Sequence, residues 1–228
     1  MAKKRWVYIW TAKIRWSEKA LQTIAGKKIE TKGAGRTDRG VHALDQKVTF
    51  NLDLNISPEK IKKILNNLVK PYIFVNSICV VPSYFHPRFN TIKKEYVYII
   101  NNGKYNPLKY DYELYFPYKL DYKLMKKCAK EFIGIHNFKN FVSGERNNYE
   151  CIIYAINFKK YKNKITIKFT GQSFYRYMVR NLVGAILDVG RGKAKIEDVK
   201  KALKNCNKPI RFSTASPNGL YLNKIYYE

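Results

Sequence analysis

The sequence predicts an α+β fold, a largely antiparallel sheet covered by helices, and three observations carry that prediction. Apolar residues make up 46% of the 228 positions and charged residues 27%, a composition that can bury a core. Two hydrophobic periods occur along the chain, one near helical and one near strand spacing. The strand-like segments fall in neighbouring groups separated by helices, which favours α+β over singly alternating strands and helices.

In chain order, Ser17 to Ala25 reads as a short helix, with Ser17 its cap and Leu21, Ile24 and Ala25 on one face. Gln46 to Leu54 alternates Val48, Phe50, Leu52 and Leu54 inward, as a half-buried strand does. Ser57-Pro58-Glu59 announces a helix, with a capping serine and proline at the first helical position. Ile61, Ile64, Leu65 and Leu68 form its apolar stripe. Strands follow at Ile73 to Val81 and Glu95 to Ile100, and Asn101 to Pro117, rich in Asn, Tyr and Pro, reads as a connection. It divides the chain into an N-terminal half, 1–102, and a C-terminal half, 103–228. In the second half Asp121 caps a helix carrying Leu124, Met125, Cys128 and Phe132. Ile152 to Lys159 and Lys164 to Thr170 form a hairpin turned at Lys162-Asn163. Phe174 to Val189 is the longest apolar helix, Ile196 to Leu203 a shorter one, and Leu220 to Tyr227 the last strand.

Composition also narrows function. Lysine and arginine total 44 against 17 acids, a formal net charge of +27. Self-repulsion of that size points to a polyanionic partner, with compositional drift towards Lys, Asn, Ile and Tyr as the competing explanation. Aromatics are 15% of the chain, including 19 tyrosines, and supply faces on which bases stack. Together these features favour nucleic acid. No apolar run reaches the roughly 20 residues of a membrane span. The apolar stretch Trp6 to Trp10 is shorter than the ~7 residues of a signal-peptide core, so the expected location is the cytoplasm. Cys79, Cys128, Cys151 and Cys206 lie far apart and read as buried thiols in a reducing compartment. His42, His86 and His136 are equally scattered, with no pair at helical ligand spacing, so no structural metal site is expected.

The segment Gly33 to Ala43 (Gly-Ala-Gly-Arg-Thr-Asp-Arg-Gly-Val-His-Ala) precedes a strand and should be a loop at a sheet edge. Asp38 stands where a dinucleotide fingerprint needs its third glycine, and no Gly-Lys-Ser/Thr follows for a P-loop. What remains is a carboxylate between Arg36 and Arg39, on a backbone whose glycines permit close approach to a ligand. Such a group suits a nucleophilic or electrostatic task. The plainer alternative is a turn with a surface Asp–Arg pair worth about 0–1 kcal/mol.

Gly35 to Ala43 matches Gly-Arg-Thr-Asp-x-Gly-Val-His-Ala, and so resembles the signature of the tRNA pseudouridine synthase A family. Phe85-His86-Pro87-Arg88-Phe89 through Lys94-Glu95-Tyr96-Val97-Tyr98 is similar to its second block. Met178-Val179-Arg180-Asn181-Leu182-Val183-Gly184 is similar to its arginine helix, and Ala215 to Leu222 to its C-terminal block. Gly134 to Phe138 adds a weaker match. The departure is N-terminal: Arg5 to Trp16 lacks the family's Tyr-Asp-Gly strand and Phe-x-Gly-Trp-Gln turn.

The resemblance implies a sheet running through two similar halves, with helices on one face and the active-site cleft on the other. It implies isomerisation of uridine to pseudouridine in the anticodon stem-loop of tRNA, just 3′ of the anticodon, by a homodimer without a cofactor. Asp38 would be the catalytic aspartate and Arg180 the arginine that pairs with it. Tyr96 would stack on the target base and accept the C5 proton. Arg36 would contact phosphate or take the flipped base's place, Arg88 would bind substrate, and Leu220 would line the uracil pocket. Two other readings stand beside this one. The first is a catalytically inactive RNA-binding relative; the second, a basic nuclease, lacks a paired-acid metal site.

Overall fold

The structure, a computed structural model, describes the backbone of residues 4–11, 14–204 and 210–228, and within these the side chains from residue 18 onward. The elements run β1 (Lys4–Thr11), α1 (Ile14–Ala25), β2 (Thr31–Gly33), β3 (His42–Ala43), β4 (Gln46–Leu52), α2 (Pro58–Val69) and β5 (Phe74–Val81). They continue with β6 (Thr91–Asn101), β7 (Leu114–Tyr115), α3 (Tyr122–Lys130), β8 (Gly134–Asn137), β9 (Glu150–Tyr161) and β10 (Lys164–Gly171). Then come α4 (Met178–Gly190), α5 (Ile196–Lys204) and β11 (Leu220–Tyr227). The fold is α+β, with one four-stranded and one seven-stranded sheet.

The chain forms two compact units, and they do not divide it at a single point. The first holds residues 1–37, 42–92 and 222–228; the second holds 38–41 and 93–221. In the first, the sheet order is β2-β4-β1-β5, with β1 antiparallel to both β4 and β5. Alternate residues of β4 (Val48, Phe50 and Leu52) are buried with Leu21 of α1 and Ile61, Leu65 and Val69 of α2. Strand period and helix period therefore meet in one core.

The second sheet has the order β3-β11-β6-β10-β9-β8, with β7 parallel to β6 and the β9–β10 hairpin antiparallel. The hairpin turns at Lys162, whose φ is +49, and Asn163. The second unit's core joins Tyr98, Ile100, Ile165, Ile167 and Phe169 to α3, α4 and α5. From Leu182 to Gly190 every residue of α4 is buried, as befits a helix that is apolar nearly all round.

Two of the three predicted caps form. Ser57 Oγ accepts from Lys60 N at 3.3 Å, and Asp121 Oδ1 from Leu124 N at 2.9 Å. Several expectations need correction. The first helix starts at Ile14, so Ser17 lies inside it; Ile14 stands two turns before Leu21 and extends the apolar pattern back past the serine. Leu54 is exposed because β4 ends at Leu52, which pairs with Lys4 near the start of β1. In α2 the buried stripe is Ile61, Leu65 and Val69, spaced one turn apart; Leu68 turns to solvent and Val69 takes its place. The longest apolar helix begins at Met178 and not Phe174, for a reason given below. Cys128 and Cys151 are buried as expected, but Cys79 on the outer strand β5 is exposed, and Cys206 lies outside the described residues. Among the described residues no helix is long and apolar enough to cross a membrane.

One contact in the second unit is unusually close. A Cβ placed on Gly184 of α4 would lie 1.6 Å from the carbonyl oxygen of Ser213. Only glycine lets residues 213–215 run against the helix. A rigid backbone carbonyl cannot yield as a side chain can, so Gly184→Ala should cost about 3 kcal/mol or more. Gly192→Ala meets nothing within 4 Å but sits at φ +79, and should cost only about 1 kcal/mol. Thermal unfolding of the two variants should show that order.

Candidate active site

The loop carrying Asp38 is a four-residue turn. Val41 N donates to Asp38 O at 3.1 Å, and Gly40 at the third position has φ +87, where a type II turn calls for glycine. A Cβ on Gly40 would lie 3.0 Å from Pro217 Cγ, so this glycine also lets the turn press on the segment before β11. Val41 packs against the second unit's core and anchors the turn's other end. The run Asp-Arg-Gly-Val thus has a mechanical reading: it holds one carboxylate on a short, fixed loop.

Arg180, in the first turn of α4, reaches that carboxylate. Its Nη1 lies 3.2 Å from Asp38 Oδ2, with the two side chains only 13% and 21% exposed. Its Nε donates to Ala215 O at 2.8 Å, while Ala215 N donates to Arg180 O at 3.1 Å. The Tyr177 ring supplies a third contact, its centroid 4.7 Å from the guanidinium carbon. A guanidinium fixed by a carboxylate, a carbonyl and an aromatic face has little rotational freedom left.

Tyr96 comes from β6. Burial, with the Asp38 charge adding to it, pushes its phenol up to about 12. The Phe174 and Tyr96 rings meet in a T-shaped contact, their centroids 5.1 Å and their planes 75° apart. Phe174 is in turn seated over Gly171, where a Cβ would come within 2.9 Å of Phe174 Cζ. Tyr98, two residues on, is fully buried and donates from its hydroxyl to Ser216 O at 2.6 Å. Burial pushes its phenol upward too, against the lowering pull of Arg180. Tyr98 therefore packs the sheet and also holds the 215–217 segment.

The structure thus brings Asp38, Arg180 and Tyr96 together in the second unit. Leu220, at the start of β11, is 5% exposed and belongs to the same core. Arg36 and Arg88 are exposed residues of the first unit, in the loop after β2 and in the turn before β6. The backbone N–H of Arg88 donates to His86 Nδ1 at 3.1 Å. Sequence reasoning missed the Ala215 carbonyl, Tyr177 and the seating of Phe174. The first was signalled only as part of the C-terminal block; the other two fell in what read as helix.

A carboxylate clasped by a guanidinium next to a stacking aromatic equips an enzyme for covalent or electrostatic work on a planar, polar substrate. Comparison with known proteins specifies the class further. The family described as tRNA pseudouridine synthase matches residues 128–228. The tRNA pseudouridine synthase A of Mycoplasmoides gallisepticum is 37% identical over 209 residues, covering 92% of this chain and 80% of its own. That of Listeria monocytogenes is 38% identical over 217 residues, covering 92% and 88%. That of Pseudothermotoga lettingae is 39% identical over 212 residues, covering 91% and 86%. The chain belongs to the tRNA pseudouridine synthase A family.

Two measurements probe this geometry. Arg180→Ala strips charge-assisted bonds from Asp38 and from the Ala215 carbonyl, and should lower stability by on the order of 2 kcal/mol in denaturant titration. Unchanged stability would mean the pair is not formed. For Tyr96, the folded-state value of about 12 lies above the ordinary tyrosine value of 10.0. Its contribution to stability is therefore complete below pH 10 and is lost as pH rises from 10 towards 12. Tyr96→Phe should make the alkaline decline in unfolding free energy shallower over that interval.

Proposed function

We propose that this protein isomerises uridine to pseudouridine in the anticodon stem-loop of tRNA, at uridines just 3′ of the anticodon, as a cytoplasmic homodimer. The observation that carries the reading is the Asp38 carboxylate held by Arg180 beside Tyr96. In the reaction the bond from ribose C1′ to uracil N1 breaks, the base turns, and C1′ bonds to C5. C5 gives up a proton and N1 gains one, so no electrons are exchanged. The Asp38 carboxylate assists the cleavage and re-formation at the sugar and base. Arg180 keeps it in place and balances its charge.

Tyr96 presents an aromatic face to the uracil. With its phenol pushed up to about 12, it rests protonated at neutral pH, so it stacks and is not a standing base for the C5 proton. Leu220 backs the uracil pocket. Turning a uridine out of the stem costs a few kcal/mol, which stacking and hydrogen bonds in the pocket must offset. Arg36 and Arg88, exposed and cationic, contact the RNA backbone or fill the vacated stack. The net charge of +27 supports a long track of phosphate contacts.

The test separates chemistry from grip. Asp38→Asn should abolish release of the C5 hydrogen from labelled tRNA, while filter binding of the same tRNA stays within about two-fold of wild type. Wild-type turnover in that variant would remove the proposal. Binding itself should weaken by about 10³–10⁵ between low and moderate salt for ~6–10 phosphate contacts, with the same slope in Asp38→Asn. A flat salt dependence would give the +27 charge some other purpose.

A further inference from the structure

The residue before α4 has a backbone that its side chain does not favour. Tyr177 lies at φ +63, ψ −5, in the left-handed region, and caps the helix without a side-chain hydrogen bond. A non-glycine residue rarely adopts that conformation unless its surroundings impose it and the side chain has a use. Both conditions are met here. Just upstream, Tyr175 Oη donates to Glu150 O at 2.6 Å and Arg176 O accepts from Ser143 N at 3.1 Å. Just downstream the helix is under way, with Asn181 N donating to Tyr177 O at 2.9 Å. Tyr177 must therefore absorb the whole change of direction. Glycine would do so more easily, but glycine carries no ring, and this ring lies against the Arg180 guanidinium at 4.7 Å. Arg176 faces the same ring at 5.1 Å.

We infer that Tyr177 is a positioning residue for the reaction: its left-handed backbone exists to lay an aromatic face on Arg180, which aims the guanidinium at Asp38. Tyr177 acts through Arg180 and not on the substrate. The inference rests on the reading of Asp38 and Arg180 given above and adds a residue to it. It also explains why the apolar pattern from Phe174 does not become helix. That stretch instead delivers one ring to Tyr96 and a second to Arg180.

Backbone and ring can be tested apart. Tyr177→Gly relieves the backbone and deletes the ring; Tyr177→Asn also tolerates left-handed φ; Tyr177→Phe keeps the ring. Initial rates of pseudouridine formation on an unmodified tRNA transcript give kcat and KM for each, beside thermal unfolding. Tyr177→Gly should retain or gain thermal stability, yet lose about ten-fold in kcat with KM nearly unchanged, the size of a desolvated cation–π contact. Tyr177→Asn should match it, and Tyr177→Phe should stay within about two-fold of wild type. In an Arg180→Lys background, which lacks the planar fork, Tyr177→Gly should cost little more, because the ring has lost the group it orients.

Full kcat in Tyr177→Gly would overturn the inference. So would a loss confined to KM, which would make the ring an RNA contact, or a full ten-fold loss persisting with Arg180→Lys. Unfolding of both the Gly and Asn variants would overturn it too, by making the ring a structural brace. Absence of conversion by the wild-type protein would instead overturn the proposed function. The two failures are thus distinguishable.

Discussion

A single guanidinium constrains most of what surrounds it. Arg180 is bound to Asp38 through Nη1, to the Ala215 carbonyl through Nε, and to the Tyr177 ring through its face. Those three partners come from a turn near residue 40, a segment near residue 215, and the entry to α4 itself. Each must arrive at hydrogen-bond or ring-contact distance of one planar group. The features that looked like isolated sequence oddities are the means of that arrival: Gly40 beside Pro217, Gly184 beside Ser213, and a left-handed tyrosine.

The far end of α4 fixes the same assembly. Asp188 is 3% exposed, and its carboxylate accepts from Ser213 N at 2.7 Å, from Ser213 Oγ at 3.0 Å and from Arg191 Nη2 at 2.9 Å. A buried carboxylate with these donors is tolerated, whereas one without them would be costly. Residues 213–215 are therefore held along the helix at Asp188, Gly184, Asn181 and Arg180 in turn, Thr214 Oγ1 donating to Asn181 Oδ1 at 2.7 Å. The Ala215 carbonyl that meets Arg180 is one stop on a longer seam, which is why its position is well determined.

Much of this was legible in the sequence, for identifiable reasons. Ser57 and Asp121 announced their helices because a cap is a local hydrogen bond needing no tertiary partner. The β9–β10 hairpin was legible because alternation along β10 matches burial on one face, as it does over Leu220 to Leu222 at the start of β11. The Asp38–Arg180 pair joins residues 142 apart and was visible only through resemblance, since no local pattern reports such a contact. What escaped was set by tertiary detail. Leu68 and Val69 are equally apolar, and only the packing of α2 decides which turns inward. Phe174 to Tyr177 has the composition of a helix, but Tyr175 and Arg176 bond outward to β9 and the 143 region, and the helix waits until Met178. Cys79 is exposed because the register of β5 shifts between Val75 and Ser77, so that Ile78 and not Cys79 continues the inward face of Val75, a fact of strand pairing and not of composition.

The proposal that stands or falls first is that this carboxylate–guanidinium site rearranges uridine in tRNA. The most direct measurement is to incubate the protein with unmodified tRNA transcripts and map pseudouridine at single-nucleotide resolution by chemical labelling and primer extension. Labelled positions should be confined to uridines just 3′ of the anticodon. Transcripts that emerge unlabelled, or labelled only outside the anticodon arm, would contradict it.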